Sequence, residues 1–266
     1  MRSVFAHVPA EGIATLGWHD WNPDPLVVLG LAAITLLYHL HPRIQPRHGH
    51  VVAFWAAQAA LVVALLSPLE VGAAYLFWLH MLQHLILTLV AAPLFVLATP
   101  VGFLGWLSRR PLVGAVLDFL WAPWPALVGY NAVFLFWHLP PAYNLTLHSN
   151  AVHVVQHLTF LASAVVFWGV VLGSAPRRIP YGVRIAVVVA TAVVQFIPAF
   201  VIALSDRVLY AYADAPRLWG WSALDDQRFG GALMWVLMNL AYVTAALALL
   251  VPALRQEGTR RGAHHA

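Results

Sequence analysis

Seven long apolar runs divide this chain of 266 residues, and they constrain its fold more than any other feature. Hydrophobic residues make up 62% of the chain and charged residues 9%, whereas a soluble domain carries about 25% charged residues. So much apolar surface cannot be hidden from water in a fold of this length, so the surrounding solvent must be lipid. The runs are Leu26–Leu40, Val51–Leu69, Ala73–Thr99, Trp121–Leu139, Ala151–Leu172, Val183–Leu204 and Phe229–Leu254. We therefore predict an all-α, polytopic membrane protein with seven transmembrane helices in one domain, residues 1–266.

The arginines give these helices an orientation. All 14 basic residues are arginine, and cytoplasmic loops are enriched in positive charge. If the N-terminus lies outside, ten arginines fall on inner segments and four on outer ones, and only two acidic residues, Asp118 and Glu257, fall inside. We expect an outer N-terminal segment, 1–25, and a basic cytoplasmic C-terminal tail, 255–266. Residues 1–20 lack the pattern of a cleaved signal peptide, so we expect them in the mature chain.

Two histidine pairs repeat one motif inside two of the runs. His80 and His84 frame an H-x-x-Q-H sequence in the third run, and His153 and His157 frame the same sequence in the fifth. Residues i and i+4 are neighbours on one face of a helix, so each motif presents two imidazoles together. The third and fifth helices run in the same direction in the predicted topology. Both pairs are therefore expected at similar depth near the outer surface, with His80 roughly 10 Å along its helix at 1.5 Å per residue.

Further metal-binding side chains are expected at the same depth. His138 lies at the outer end of the fourth run, and Met234 lies near the outer end of the seventh, one turn before Met238. Ionisable groups inside a bilayer are costly and mark function. Imidazole suits copper, zinc, iron and nickel, thioether sulfur favours Cu(I), and the chain has no cysteine for a thiolate zinc site. We therefore predict one copper site near the outer surface. Its predicted ligands are His80, His84, His138, His153, His157 and Met234.

The other polar or unusual residues of the runs are given structural interpretations. Gln83 and Gln156 each precede a predicted ligand and are expected to form hydrogen bonds to the site. Met81 is interpreted as packing, and Met238 stays open between packing and ligation. We expect interhelical hydrogen bonds from Asn131 and Gln195, close packing at Gly230 and Gly231, and solvation of Asp206, Asp225 and Asp226 in an outer loop.

Three functional alternatives remain open from the residues alone. A copper-binding protein is the first, and a membrane haem protein with two axial histidines is the second, because four imidazoles at one depth can also hold haem iron. A copper transporter is the third, although the inner parts of the helices, Leu85–Leu97 and Leu158–Leu172, are almost entirely apolar. No acid–base or nucleophile constellation shares the depth of the histidines, so we do not expect an enzyme. The arginines follow the membrane topology, so we expect no nucleic-acid partner.

Several motifs, in one order over nearly the whole chain, resemble the multi-spanning CtaG family of bacterial cytochrome c oxidase assembly factors. Where the family pattern often has an acidic residue, this chain has Gln156. The motifs are Trp18-His-Asp-Trp21, His80-Met-Leu-Gln-His84 with Ala92-Pro93-Leu94, Trp137-His-Leu-Pro-Pro-Ala-Tyr143, His153-Val-Val-Gln-His157 with Phe160, and Asp226-Gln-Arg-Phe-Gly-Gly-Ala-Leu-Met234-Trp235.

The resemblance implies a role that the residues alone do not. It implies a multi-pass protein of the bacterial plasma (inner) membrane that is needed to make an active haem–copper oxidase. Its partners would be cytochrome c oxidase subunits, with a subunit that carries a copper centre as the receiver. The expected function is that of a copper chaperone in oxidase assembly.

Overall fold

The described part of the chain is helical and contains no strand. A computed structural model describes residues 15–174, 178–212, 215 and 218–264, with side chains described as far as residue 256. The helices are α1 (Pro25–Leu40), α2 (His48–Leu65), α3 (Pro68–Ala73), α4 (Phe77–Ala98), α5 (Val101–Leu107), α6 (Pro111–Leu120), α7 (Pro123–His138), α8 (Pro140–His148), α9 (Asn150–Leu172), α10 (Tyr181–Leu204) and α11 (Ala223–His264).

Five to six of these helical segments can cross a membrane by length and composition. The five are α2, α4, α9, α10 and α11 as far as Gln256. The sixth is the pair α6 and α7, which is bent by 70° at its junction, and α1 is apolar but has only 16 residues. The predicted all-α membrane architecture is thus confirmed, while the count of seven spans and the orientation stay predictions. Part of the charge count rests on residues that lie outside the described part of the chain. They are residues 1–14, the side chains of 257–266, Arg177, Asp214 and Arg217.

Helix α4 is the central helix of the described bundle. Most side chains of its first two turns are buried, including both histidines of its motif. Its middle, Ile86–Ala91, widens into a π-helical turn, a feature that is frequent at functional sites. The Thr88 carbonyl in this turn accepts a hydrogen bond from the Trp168 indole N–H at 2.8 Å. This hydrogen bond connects the π-helical turn of α4 to α9.

Asp226 holds the start of α4 and does not solvate a loop. Its carboxylate oxygens accept the backbone N–H groups of Phe77 and Trp78, both at 2.9 Å, and its side chain is fully buried. The expected solvation of Asp226 is therefore wrong. Four N–H groups at the start of any helix lack an intrahelical partner, and the Asp226 carboxylate of α11 accepts from two of them at the start of α4. Asp225, one residue earlier, is exposed as expected.

Two glycines bring α11 close to its neighbours. A Cβ atom on Gly230 would lie 2.5 Å from Cδ1 of Phe77 in α4, and one on Gly231 would lie 2.5 Å from the backbone nitrogen of Ala203 in α10. Both separations are too short for a side chain. The predicted close packing at these glycines is confirmed.

The polar residues in the middle of the helices bond across helix boundaries. Asn131 donates to the Thr191 hydroxyl at 3.1 Å, and the Tyr242 hydroxyl donates to the Gln195 side-chain oxygen at 2.7 Å. Such bonds satisfy groups that lipid cannot. The predicted interhelical role of Asn131 and Gln195 is confirmed.

We expect Asp226→Ala to destabilise the protein by roughly 2 kcal/mol, because a helix cap contributes about 0.5–2 kcal/mol and a hydrogen bond to a charged group about 1.5–3 kcal/mol. The measurement is the midpoint of thermal unfolding of the purified protein in detergent. Asp206→Ala is the control, because it removes an exposed carboxylate, and it should shift the midpoint little. Equal shifts for the two variants would contradict the capping role.

Candidate metal centre

Four histidines from α4 and α9 form one compact group. One ring nitrogen from each of His80, His84, His153 and His157 lies within 4.8 Å of the others. The first three side chains are buried and His157 is partly buried. Each H-x-x-Q-H motif places its imidazoles one turn apart on one helix face, so the two faces meet as the sequence indicates.

The helix backbones leave room for these rings. The backbones of α4 and α9 approach each other most closely along the inner part of α4, Ile86–Ala98, rather than along Phe77–Leu85. The wider end is filled by imidazoles, with ring centroids 5.0 Å apart for His80 and His153 and 5.3 Å apart for His84 and His157. The imidazoles themselves therefore form the contact between the two helices at this end.

The spacing of the ring nitrogens fits one small metal ion. The Nε2 atoms of His80 and His84 are 3.0 Å apart. Four nitrogens at about 2.0–2.1 Å from a tetrahedral ion lie roughly 3.3 Å from one another. The longest nitrogen–nitrogen separations in the group are therefore larger than those around a bound tetrahedral ion. The separation between His80 and His84 is already as short as such an ion requires.

Two tyrosines orient the His80 ring. Its Nδ1 lies 3.1 Å from the Tyr212 hydroxyl and 3.0 Å from the Tyr143 hydroxyl, and the Tyr212 hydroxyl donates onward to the Ala73 carbonyl at 2.8 Å. Burial raises the pKa of the Tyr143 phenol well above its ordinary value, so the phenol stays protonated at neutral pH. With Nδ1 engaged by the tyrosines, Nε2 is the nitrogen that faces the other histidines. Such supporting hydrogen bonds fix the orientation of metal-binding imidazoles.

The two glutamines of the motifs have different partners. The Gln156 side-chain oxygen lies 3.3 Å from Nε2 of His80, so its predicted contact with the site is confirmed. Gln83 turns away from the histidines and donates to the Ala64 carbonyl at 2.7 Å and to the Glu70 carboxylate. The expected contact of Gln83 with the site is therefore wrong, because Gln83 bonds to groups of α2 and α3 instead.

Glu70 is a buried acidic residue that the sequence did not single out. It lies in the short helix α3, which is outside the candidate spans, and its side chain is 9% exposed. Burial raises the pKa of its carboxyl to about 7, although the hydrogen bond from Gln83 lowers it. Glu70 is therefore a titratable group in direct contact with Gln83, a residue of the helix that carries His80 and His84.

His138 and Met234 do not join the four-histidine group. Nδ1 of His138 donates to the Phe134 carbonyl one turn back at 2.7 Å. Both residues, together with His84, line a small separate cavity. Of the six predicted ligands, the structure brings four together and places the other two at a neighbouring position.

Tyr143 and Tyr212 are site residues that sequence reasoning missed. Tyr143 ends a motif that resembles the family, which was a usable signal. Tyr212 lies in the connection between α10 and α11, where neither periodicity nor motif singled it out. Their hydroxyls are only 3.2 Å apart, and this proximity depends on how the connection folds back over α8.

These helices and the buried histidines define a polytopic membrane protein with a candidate metal-binding site. The chain belongs to the cytochrome c oxidase caa3 assembly factor family (Caa3_CtaG), whose model matches residues 31–256. The resemblance drawn from the motifs is confirmed, and Trp18-His-Asp-Trp21 lies before the matched region.

Mycobacterial proteins are similar to this chain over much of its length. Proteins of Mycobacterium bovis and Mycobacterium tuberculosis, both described only as uncharacterized, are 27% identical over 233 residues, which covers 79% of this chain and 34% of each relative. One from Mycobacterium leprae is 25% identical over 234 residues, 79% of this chain and 35% of the relative. The chain thus spans about a third of the length of these relatives. No solved structure matches it.

We expect Glu70→Gln to flatten the dependence of stability on pH between about 4.5 and 7. The carboxyl titrates near 4.5 when unfolded and near 7 when folded, so the folded state binds more protons in this window and stability falls as pH rises through it. The amide keeps an acceptor for Gln83 and removes the titration. The measurement is the unfolding midpoint in detergent from pH 4.5 to 8 for wild type and variant.

The control for this experiment is Asp225→Asn, which neutralises an exposed carboxylate. Its pH profile should follow that of wild type. A Glu70→Gln profile with the wild-type slope would show that Glu70 does not titrate in this window.

Proposed function

We propose that this protein is a non-enzymatic assembly factor that holds copper at the four-histidine group and delivers it to an oxidase subunit. One observation carries the proposal: four imidazoles from two helices meet within 4.8 Å in a member of an oxidase assembly family. Copper is a component of a haem–copper oxidase, and imidazole is a ligand that suits copper. Copper is therefore treated as cargo.

The proposed location is the plasma membrane of a bacterium, with seven spans and the histidines near the outer face. The five candidate spans, the bent pair α6 and α7, and α1 together make seven. With an outer N-terminus, this count puts α3, α8 and the connection before α11 on the outer side and the loop with Arg109 and Arg110 on the inner side. The distribution of arginine supports the same orientation.

The packing of the rings favours a small ion over haem. A haem places a flat macrocycle between its two axial imidazoles. In this site the imidazoles of the two helices contact one another directly, with ring centroids 5.0 Å apart for His80 and His153 and 5.3 Å apart for His84 and His157. That contact leaves no slot for a macrocycle between the pairs.

The packing of α4 and α9 on the inner side of the histidines favours a protein that binds copper over one that transports it. Ala91 and Ala92 on α4 and Ala164 and Phe167 on α9 are fully buried, so the inner parts of these helices are in close contact. Polar side chains are sparse along this interface: Thr88, one turn inward of His84, is buried, and its hydroxyl donates to the His84 carbonyl. A subunit with a copper centre on the outer side is the receiver that this arrangement favours.

We expect the double variant His80→Asn, His153→Asn to lose about one bound copper per chain, since four ligands hold one ion, and to lose its ability to support oxidase assembly. Asparagine at position 80 keeps a polar group near the tyrosines while it removes Nε2. The measurements are metal analysis of the purified protein and oxidase activity of a strain in which the variant replaces the wild-type gene.

His148→Asn is the matched control, because His148 is exposed and outside the four-histidine group. It should retain copper and support assembly. Full oxidase activity with the double variant would overturn the proposed function. A Soret band in the spectrum of the purified protein would favour the haem alternative.

The topology can be tested by single-cysteine labelling, because the chain has no cysteine of its own. We expect a membrane-impermeant maleimide to label His148→Cys in intact cells, because the residue is exposed and is placed outside. Arg109→Cys, also exposed, should be labelled only after the cells are permeabilised. The reverse pattern would overturn the orientation, and labelling of both in intact cells would overturn the count of spans between them.

A further inference from the structure

All the methionines after Met1 converge on one cavity. The chain has four methionines, and Met81 from α4 together with Met234 and Met238 from α11 line a single small cavity between α4, α7, α9 and α11. All three side chains are buried. The bundle has many other apolar core positions, and they are occupied by other residue types.

A histidine nitrogen without a partner lies at the same cavity. His138 lines it, is 7% exposed, and uses Nδ1 to donate to the Phe134 carbonyl. Its Nε2 is buried and has no hydrogen-bond partner. A buried polar atom left unsatisfied is costly, and a ligand bound at Nε2 would offset that cost.

Packing alone does not explain this combination. Methionine often fills irregular gaps in a core, and that explanation accounts for the sulfur atoms. It does not account for an unsatisfied imidazole nitrogen among them, since an apolar residue of similar size at position 138 would pack without that cost. Thioether sulfur and neutral imidazole together are ligands for a soft, monovalent ion such as Cu(I).

We propose that this cavity is a second metal site, distinct from the four-histidine group and selective for Cu(I), with Met81, Met234, Met238 and His138 as its ligands. His84 belongs to the four-histidine group and also lines the cavity. It therefore lies between the two sites and offers a route for an ion to pass from one to the other. The existence of the site stands on the cavity, whereas the direction of that transfer rests on the proposed function.

The test uses the purified full-length protein in detergent and two soft probes, Ag(I) and Cu(I) kept reduced. Bound metal is counted after removal of free ions, and the copper X-ray absorption spectrum reports sulfur neighbours. We expect His80→Asn, His153→Asn to retain one tightly bound Ag(I) or Cu(I) with sulfur neighbours. The triple variant Met81→Leu, Met234→Leu, Met238→Leu should lose that ion and its sulfur signal while copper with nitrogen neighbours remains.

Leucine replaces methionine at similar volume, so the triple variant should keep its fold. If it does not fold, Met234→Leu and His138→Asn serve instead. Asparagine at position 138 retains an N–H for the Phe134 carbonyl and lacks Nε2, and affinity for Ag(I) should fall about tenfold or more. His148→Asn should leave both probes unaffected.

Two results would overturn the second site. One is unchanged Ag(I) binding in the methionine variants, and the other is loss of all soft-metal binding in the double histidine variant, which would mean that a single site exists. The failure of the proposed function is a different result, namely full oxidase assembly with the double histidine variant. Sulfur-bound Ag(I) in that variant would leave the second site standing even then.

Discussion

The cost of a polar group in hydrocarbon organises this structure. A side chain that lipid cannot satisfy must find its partner inside the protein, so the histidine faces of α4 and α9 turn toward each other. The residues between the histidines on the other side of α9, Val154 and Val155, are exposed to the bilayer. The same rule brings the tyrosine hydroxyls to His80 and the carboxylate of Asp226 to the start of α4. The site is thus the place where several buried polar groups of these helices meet.

What the sequence predicts well is set by local periodicity. The apolar runs located the long helices because their length is imposed by the bilayer. The H-x-x-Q-H spacing predicted which histidines share a face, and equal depth on parallel helices predicted that the two faces meet. These inferences need only the rise of a helix and the direction of each span, both of which can be read from the chain.

What the sequence did not predict depends on lateral position and on contacts between distant segments. Depth alone placed His138 and Met234 with the other histidines, but depth does not say on which side of α4 a neighbouring helix packs. Helices α7 and α11 place these residues beside a different cavity. Asp226 bonds to the backbone of Phe77 across 149 positions of sequence, and the sequence around Asp226 gives no sign of such a partner.

The ligand chemistry of the two positions bears on the charge of the ion they can hold. The group that the described residues form at the first position consists of four imidazoles without a carboxylate, and imidazoles bind metals in their neutral form. An ion at this position therefore keeps its whole charge in a medium of low dielectric constant. Because the cost of burying a charge grows with its square, a divalent ion is penalised about four times as much as a monovalent one. For the copper ion that we propose, neutral nitrogen and thioether ligands without an acidic ligand therefore favour Cu(I) over Cu(II).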